Sequence, residues 1–175
     1  MASETPMSVS KADIENKAVR TFAKIDGMEG PSTYAGEEGS VELLGWSHSF
    51  NQPTQLARSA GNTASAGKAK HGKITVLKQI DSTTTELLKK CWKGAQINKI
   101  TISSYNSDVK YMYVEMDKVI ISDQKLSDSP NQVIPLEELV LDYGSVKYSY
   151  TPVDDTGQGT GEMPVSMNLE TGNIS

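Results

Sequence analysis

Two carboxylates two positions apart, Glu115 and Asp117, are the first candidates for chemistry in this chain. On a strand they share one face at about 7 Å, near the separation of paired glycosidase carboxylates. On a solvated strand face the same pair is ordinary surface charge, and no aromatic cleft surrounds it. The only histidines, His48 and His71, flank one long loop, so they meet only if its ends do. Two imidazoles without a third ligand nearby favour separate structural roles over a metal site. Ser47 and His48 are neighbours on a strand and point to opposite faces, which excludes a nucleophile and base pair. Cys91, the single cysteine, excludes an internal disulfide and a cysteine-built metal site. It falls on an apolar helical stripe as a small buried hydrophobe, although Lys89 and Lys90 would lower its pKa if it were exposed. The run 154–161, Asp-Asp-Thr-Gly-Gln-Gly-Thr-Gly, has the glycines of a phosphate cradle. It lacks a Gly-Lys-Ser/Thr ending, and Met163-Pro164 stands where a helix would have to follow, so it reads as a flexible turn. No catalytic residue, cofactor or metal is implied, and these residues point to a binding or assembly protein.

The elements that would carry these residues are mostly strands. Val19, Thr21, Ala23 and Ile25 alternate with Arg20, Phe22 and Lys24 up to Asp26-Gly27. Ser40 to Phe50 sorts into Glu42, Leu44, Trp46, His48 and Phe50 against Val41, Leu43, Gly45, Ser47 and Ser49. The bulk in the first set places Leu44, Trp46 and Phe50 in the core; Gly45, Ser47 and Ser49 leave a narrow polar face. Lys73 to Ile80 is a third strand. Asp81 to Trp92 is the one convincing helix: Thr83 and Glu86 have capping-box spacing, Leu87, Leu88, Cys91 and Trp92 form an apolar stripe, and Lys89, Lys90, Lys93 and Gly94 mark its end. Further strands are expected over Gln96 to Tyr105, Val109 to Ser122, Val133 to Tyr143 and Ser145 to Thr151, the last two joined by Tyr143-Gly144 in hairpin-like spacing. Val165, Met167 and Leu169 suggest an edge strand. About eight short strands and one side helix make a mainly β, two-sheet barrel or sandwich. Residues 1–18 form a polar tail, 19–170 one domain and 171–175 a second tail.

Between two of these strands lies a 22-residue stretch, Asn51 to Gly72, almost entirely Ala, Gly, Ser, Thr, Asn and Gln. Loops of that length inside compact domains are usually functional or disordered. Its Arg58, Lys68 and Lys70 face no acid within the stretch, while the rest of the chain carries 14 basic and 22 acidic residues, a net −8. A basic arm on an acidic body suits self-association, because opposite potentials steer encounter and fix orientation. Three cations that merely keep a loop soluble are the plainer account of the same charges. An acidic chain without a dense basic face is a poor nucleic-acid partner. Residues 1–18 hold no apolar run of a signal peptide, and no stretch approaches the roughly 18 apolar residues of a membrane span. Neither a cleaved leader nor membrane insertion is therefore expected.

The run Phe22-Ala-Lys-Ile-Asp-Gly-Met-Glu-Gly30, followed by Val41-Glu-Leu-Leu-Gly-Trp-Ser-His-Ser-Phe50, resembles the Hcp family of type VI secretion tube proteins. So do Ala66-Gly-Lys68 and Gly72-Lys-Ile74 at the loop's end, Asp81-Ser-Thr-Thr-Thr-Glu-Leu-Leu88, the strand pair from Ile97 to Val119, and Val146-Lys-Tyr-Ser-Tyr-Thr-Pro152. The similarity runs over residues 19–170 in the family's order. It implies a two-sheet β-barrel whose copies form homohexameric rings, stacked into a tube that a contractile sheath on a baseplate drives out behind a VgrG-like spike. It further implies assembly in the cytoplasm, secretion to the medium or a target cell, and small effectors carried in the lumen. On this resemblance the loop contacts neighbouring subunits or rings through Leu56, Arg58, Lys68 and Lys70, and Gly45, Ser47 and Ser49 suit a lumen face. About 18 residues before the first strand and an Ala-rich loop depart from the family's pattern. A ligand-binding β-sandwich and a contractile phage-type tail tube protein are the competing classes.

Overall fold

The computed structural model describes residues 19–55, 65–66 and 69–175. Its elements, in chain order, are β1 (Val19–Ile25), β2 (Val41–Asn51), β3 (Thr54–Gln55), β4 (Ser65–Ala66), β5 (Lys70–Gln79), α1 (Thr84–Lys93), β6 (Ile97–Asn106), β7 (Val109–Ser127), β8 (Leu136–Asp142), β9 (Ser145–Tyr150) and β10 (Met163–Asn168). Eight strands form one sheet in the order β10-β9-β7-β6-β1-β2-β5-β8, and a further β7–β8 pairing closes it on itself. The molecule is mainly β, as expected. Its architecture is one sheet curled into a closed circuit of β7, β6, β1, β2, β5 and β8, with β9 and β10 as a wing, and β3–β4 as a separate two-stranded ribbon.

Closure depends on the 19-residue length of β7. Its first part, residues 112–117, pairs with β9, and its last part, residues 120–127, pairs with β8. Asp117↔Ser145 and Ile120↔Asp142 belong to one register, so β8 and β9 lie end to end along β7. The hairpin expected at Tyr143-Gly144 is therefore not formed: both strands run antiparallel to β7 and in the same direction as each other. Lys118 adopts φ 55° at the junction, a conformation uncommon outside glycine, and the Gly144 amide donates to the Asp117 carbonyl there. This kink lets one half of the long strand turn toward β5 while the other half continues the wing.

The interior is aliphatic. Ile74, Val76, Ile102, Val114, Met116 and Leu141 are buried within one cluster, and Leu87 of α1 closes its lower end, the end away from the long loop. On β2 the expected faces are corrected. Val41 and Leu43 are buried, whereas Phe50 is 55% exposed and Leu44 only half-buried. The register passes from Leu43↔Lys78 to Gly45↔Leu77, which makes Leu44 an extra residue against β5. Such a bulge moves every later side chain to the opposite face, so odd positions face inward before Leu44 and Trp46 packs on the core after it.

The helix begins at Thr84 and ends at Lys93, later at both ends than expected. Its N-terminus is braced by Asp81, whose Oδ1 accepts from the Thr83 amide at 2.8 Å and the Thr83 hydroxyl at 2.6 Å, and not by a capping box. Glu86 instead pairs with Lys89 at 2.7 Å. Of the expected apolar stripe Leu87 is buried, Leu88 and Cys91 are half-buried, and Trp92 is 78% exposed. Gly94 caps the C-terminus at φ 58°, in the left-handed region that favours glycine. None of the described helices is long and apolar enough to cross a membrane.

Candidate functional site

The base of the long loop is the best-defined candidate. Antiparallel pairing of β2 and β5 continues to Asn51↔Lys70, and Thr54↔Ala66 and Gln55↔Ser65 carry a ribbon beyond it. The stretch from Asn51 to Gly72 is therefore strand at both ends, an arm rooted in the sheet. Lys70 is exposed at its root. Leu56, Arg58 and Lys68, the other expected contact residues, lie outside the described residues.

Below the arm, His48 ties three parts of the fold together. Its Nε2 lies 2.9 Å from the Gly72 carbonyl and 2.7 Å from the Tyr143 hydroxyl, and its Nδ1 is bonded to the Tyr148 hydroxyl. Because a carbonyl only accepts, Nε2 carries the proton and Nδ1 accepts from Tyr148. Burial pushes the imidazole below the ordinary histidine range; the Gly72 carbonyl pulls it up, and His71 lowers it further. Burial also raises the Tyr148 hydroxyl to about 12 and the Tyr143 hydroxyl above its ordinary range. The two histidines do approach one another, with the Phe50 ring 4.1 Å from His48 and 5.3 Å from His71 by ring centroids. Nδ1 of His71 is buried with no hydrogen-bond partner among the described residues. Neither tyrosine was legible as a partner of His48, since they lie 95 and 100 positions away.

Gly45, Ser47 and Ser49 follow the bulge on the face opposite Trp46 and His48. Ser47 and Ser49 are exposed, and a Cβ at Gly45 would meet nothing within 4 Å. Ser47 and His48 thus diverge as the strand period requires. Ser49 packs directly against Gly72 across the arm's root, where a Cβ would overlap its hydroxyl.

The other chemical candidates become structural. Lys99 lies 3.0 Å from Glu115 and 3.7 Å from Asp117, Tyr113 donates to Glu115 at 2.8 Å, and Ser145 donates to Asp117 at 3.2 Å. Partial burial pushes the Glu115 carboxyl up, but Tyr113 and Lys99 together hold it below the ordinary range. This is a cross-strand polar ladder running from β6 across β7 to β9. Asp154 folds the glycine-rich run into a braced turn, its Oδ1 accepting from the Thr156 amide and hydroxyl and from the Gln158 amide. Among the described residues no three His, Cys, Asp or Glu side chains are grouped to hold a metal ion.

The comparisons with known proteins agree with this geometry. Residues 22–150 match the family model described as "Type VI secretion system effector, Hcp". No curated protein matches the sequence. Among solved structures, one described as a type six secretion system protein superposes with a TM-score of 0.83 at 20% identity, covering 89% of this chain and 99% of that one. Hcp1 from Salmonella typhimurium gives 0.75 at 20% identity, over 91% and 100%. A type VI secretion system effector from Yersinia pestis gives 0.66 at 21%, over 85% and 98%. At these identities the superpositions speak for the fold, while the family model spans most of the chain: it belongs to the Hcp family of type VI secretion proteins.

Proposed function

We propose that this chain is a structural subunit of a type VI secretion tube: copies form hexameric rings, the rings stack, and the stack encloses a channel that admits small effectors. The observation that carries the proposal is the arm. β2 and β5 stay paired out to Asn51↔Lys70, which roots the loop in the sheet, and the loop's basic residues have their complement on an acidic body. Leu56, Arg58, Lys68 and Lys70 are assigned to contact a neighbouring subunit or ring, and Gly45, Ser47 and Ser49 to the channel wall. In this role the protein performs no catalysis and needs no cofactor. Its partners are further copies of itself, a VgrG-like spike, the sheath and baseplate, and effector cargo. It assembles in the cytoplasm and is exported with the tube. Size-exclusion chromatography with mass measurement and negative-stain microscopy test the proposal: six-fold rings are expected, and a monomer persisting at high concentration overturns it.

A further inference from the structure

Both histidines of the chain sit at the root of the arm. His48 pairs with Ile74 and Phe50 with His71, so β5 has one residue more than β2 between these positions and the ladder is irregular where the arm begins. The His48 ring fastens this weak point. Its Nε2 donates to the Gly72 carbonyl at 2.9 Å, and its Nδ1 accepts from Tyr148 of β9. The Tyr143 hydroxyl, 2.7 Å from Nε2, is also 3.3 Å from that carbonyl and brings in the junction of β8 and β9. These roles require a neutral ring, because a protonated imidazole donates at both nitrogens. Tyr148 must then turn its own proton away. Its hydroxyl has no other partner among the described residues, and its ring lines an apolar groove of about 360 Å³ between Phe50 and Val165. A hydroxyl left unsatisfied in such surroundings is costly.

The groups packed around His48 offer a positive ring no compensation. They are Phe50 from its own strand, His71 and the Gly72 carbonyl from β5, Tyr143 from the β8–β9 junction and Tyr148 from β9. None is a carboxylate. His71 opposes a charge on His48, and its own buried Nδ1 has no acceptor among the described residues for a proton taken up there. Lys70, exposed beside His71, adds positive charge, and Asp142 is engaged with Lys73 at 3.9 Å. We propose that His48 is an acid-released latch: a proton on its ring unfastens Gly72 of β5 from β2 and β9, loosens the arm and takes apart the assembly that the arm holds. This regulation rests on the tube proposal, in which the arm is the contact. An open root titrates near the ordinary histidine value of about 6.5 and a closed root lower, so opening becomes about tenfold more favourable between pH 7.5 and pH 5.5.

The test uses the full chain. Hydrogen exchange read by mass spectrometry, corrected for the intrinsic pH dependence of amide exchange, follows the latch itself. From pH 7.5 to pH 5.5, opening over residues 70–75 is expected to rise about tenfold in the wild type and to stay level in His48→Gln, which keeps a donor and an acceptor without titrating. Size-exclusion chromatography with mass measurement follows the consequence: wild-type rings dissociate at pH 5.5, and His48→Gln rings persist. Tyr148→Phe removes the hydroxyl that needs a neutral ring, so it shrinks the acid effect on exchange and decides the matter if His48→Gln fails to fold. Exchange over 70–75 that ignores acid, or that responds equally in the wild type and His48→Gln, overturns the latch. So does a response that His71→Gln abolishes and His48→Gln retains. Rings that stay intact at pH 5.5 while the root opens overturn the release of assembly and leave the tube standing. If rings form at no pH the tube proposal falls, and exchange in the monomer still decides the latch.

Discussion

Lys78 Nζ lies 2.6 Å from Glu137 Oε2 with both side chains buried, on paired positions of β5 and β8. Asp81 Oδ1 stands 3.1 Å from the same ammonium, Thr84 donates to Glu137 at 2.6 Å and Gln124 donates to its other oxygen at 2.6 Å. A carboxylate and an ammonium taken out of water are tolerated here because each has several partners. The cluster ties the start of α1 to the lower end of the closed sheet.

Removing one partner leaves the other charged and buried. Lys78→Met or Glu137→Leu alone is expected to cost about 3–5 kcal/mol, whereas the double variant recovers most of that loss, as apolar replacements of buried pairs do. Urea denaturation of the three variants measures it. A double variant no more stable than either single one contradicts the expectation.

His48 makes stability depend on pH. Burial holds its folded pKa below the ordinary value, so the unfolded chain takes up the proton first as pH falls. Its contribution is complete above about pH 6.5 and is lost progressively below it, toward the folded pKa. His48→Phe keeps a ring but does not titrate. The wild-type urea midpoint should drop more between pH 7 and pH 5 than that of the variant, and equal drops would count against this account.

The root of the arm tolerates no side chain at Gly72. A Cβ there overlaps the Ser49 hydroxyl and sits 2.8 Å from the Ser49 carbonyl. Gly72→Ala is expected to cost about 1–3 kcal/mol, in the range of overpacking. Gly45→Ala meets nothing within 4 Å and should be near neutral. Thermal unfolding of the pair separates crowding at the arm from any general intolerance of alanine on these strands.

Deletion of residues 55–69 should leave a folded monomer and abolish assembly, with unchanged far-ultraviolet circular dichroism and a single-chain mass. Intact rings would remove the arm from the interface.

On the proposed channel wall, Ser47→Gln should preserve ring mass and reduce effector capture in a pull-down. Capture at the wild-type level by intact rings would place that face elsewhere.

The period of the side chains was enough to locate β1, β6, β9 and the helix, because alternation and helical stripes are local and turn residues bound them. Lys78 also left a trace: it shares the inward face of Ile74 and Val76, where a lone lysine demands a buried acid. What the pattern does not contain is which strands meet. Leu44 reads as one more step of an alternation until the pairing with β5 makes it a bulge, and the face assigned to Trp46 then depends on a neighbour more than 30 residues away. Tyr143-Gly144 looks like a hairpin turn, yet the length of β7 offers both flanking strands one edge to pair along. Resemblance to the Hcp family was carried by residue order over the whole domain and needed no coordinates. The tie between His48, Tyr143 and Tyr148, the Lys78–Glu137 pair and the apolar groove between Phe50 and Val165 each join residues from distant strands. Closure of the sheet creates them, because register and curvature are properties of paired strands and not of any one segment.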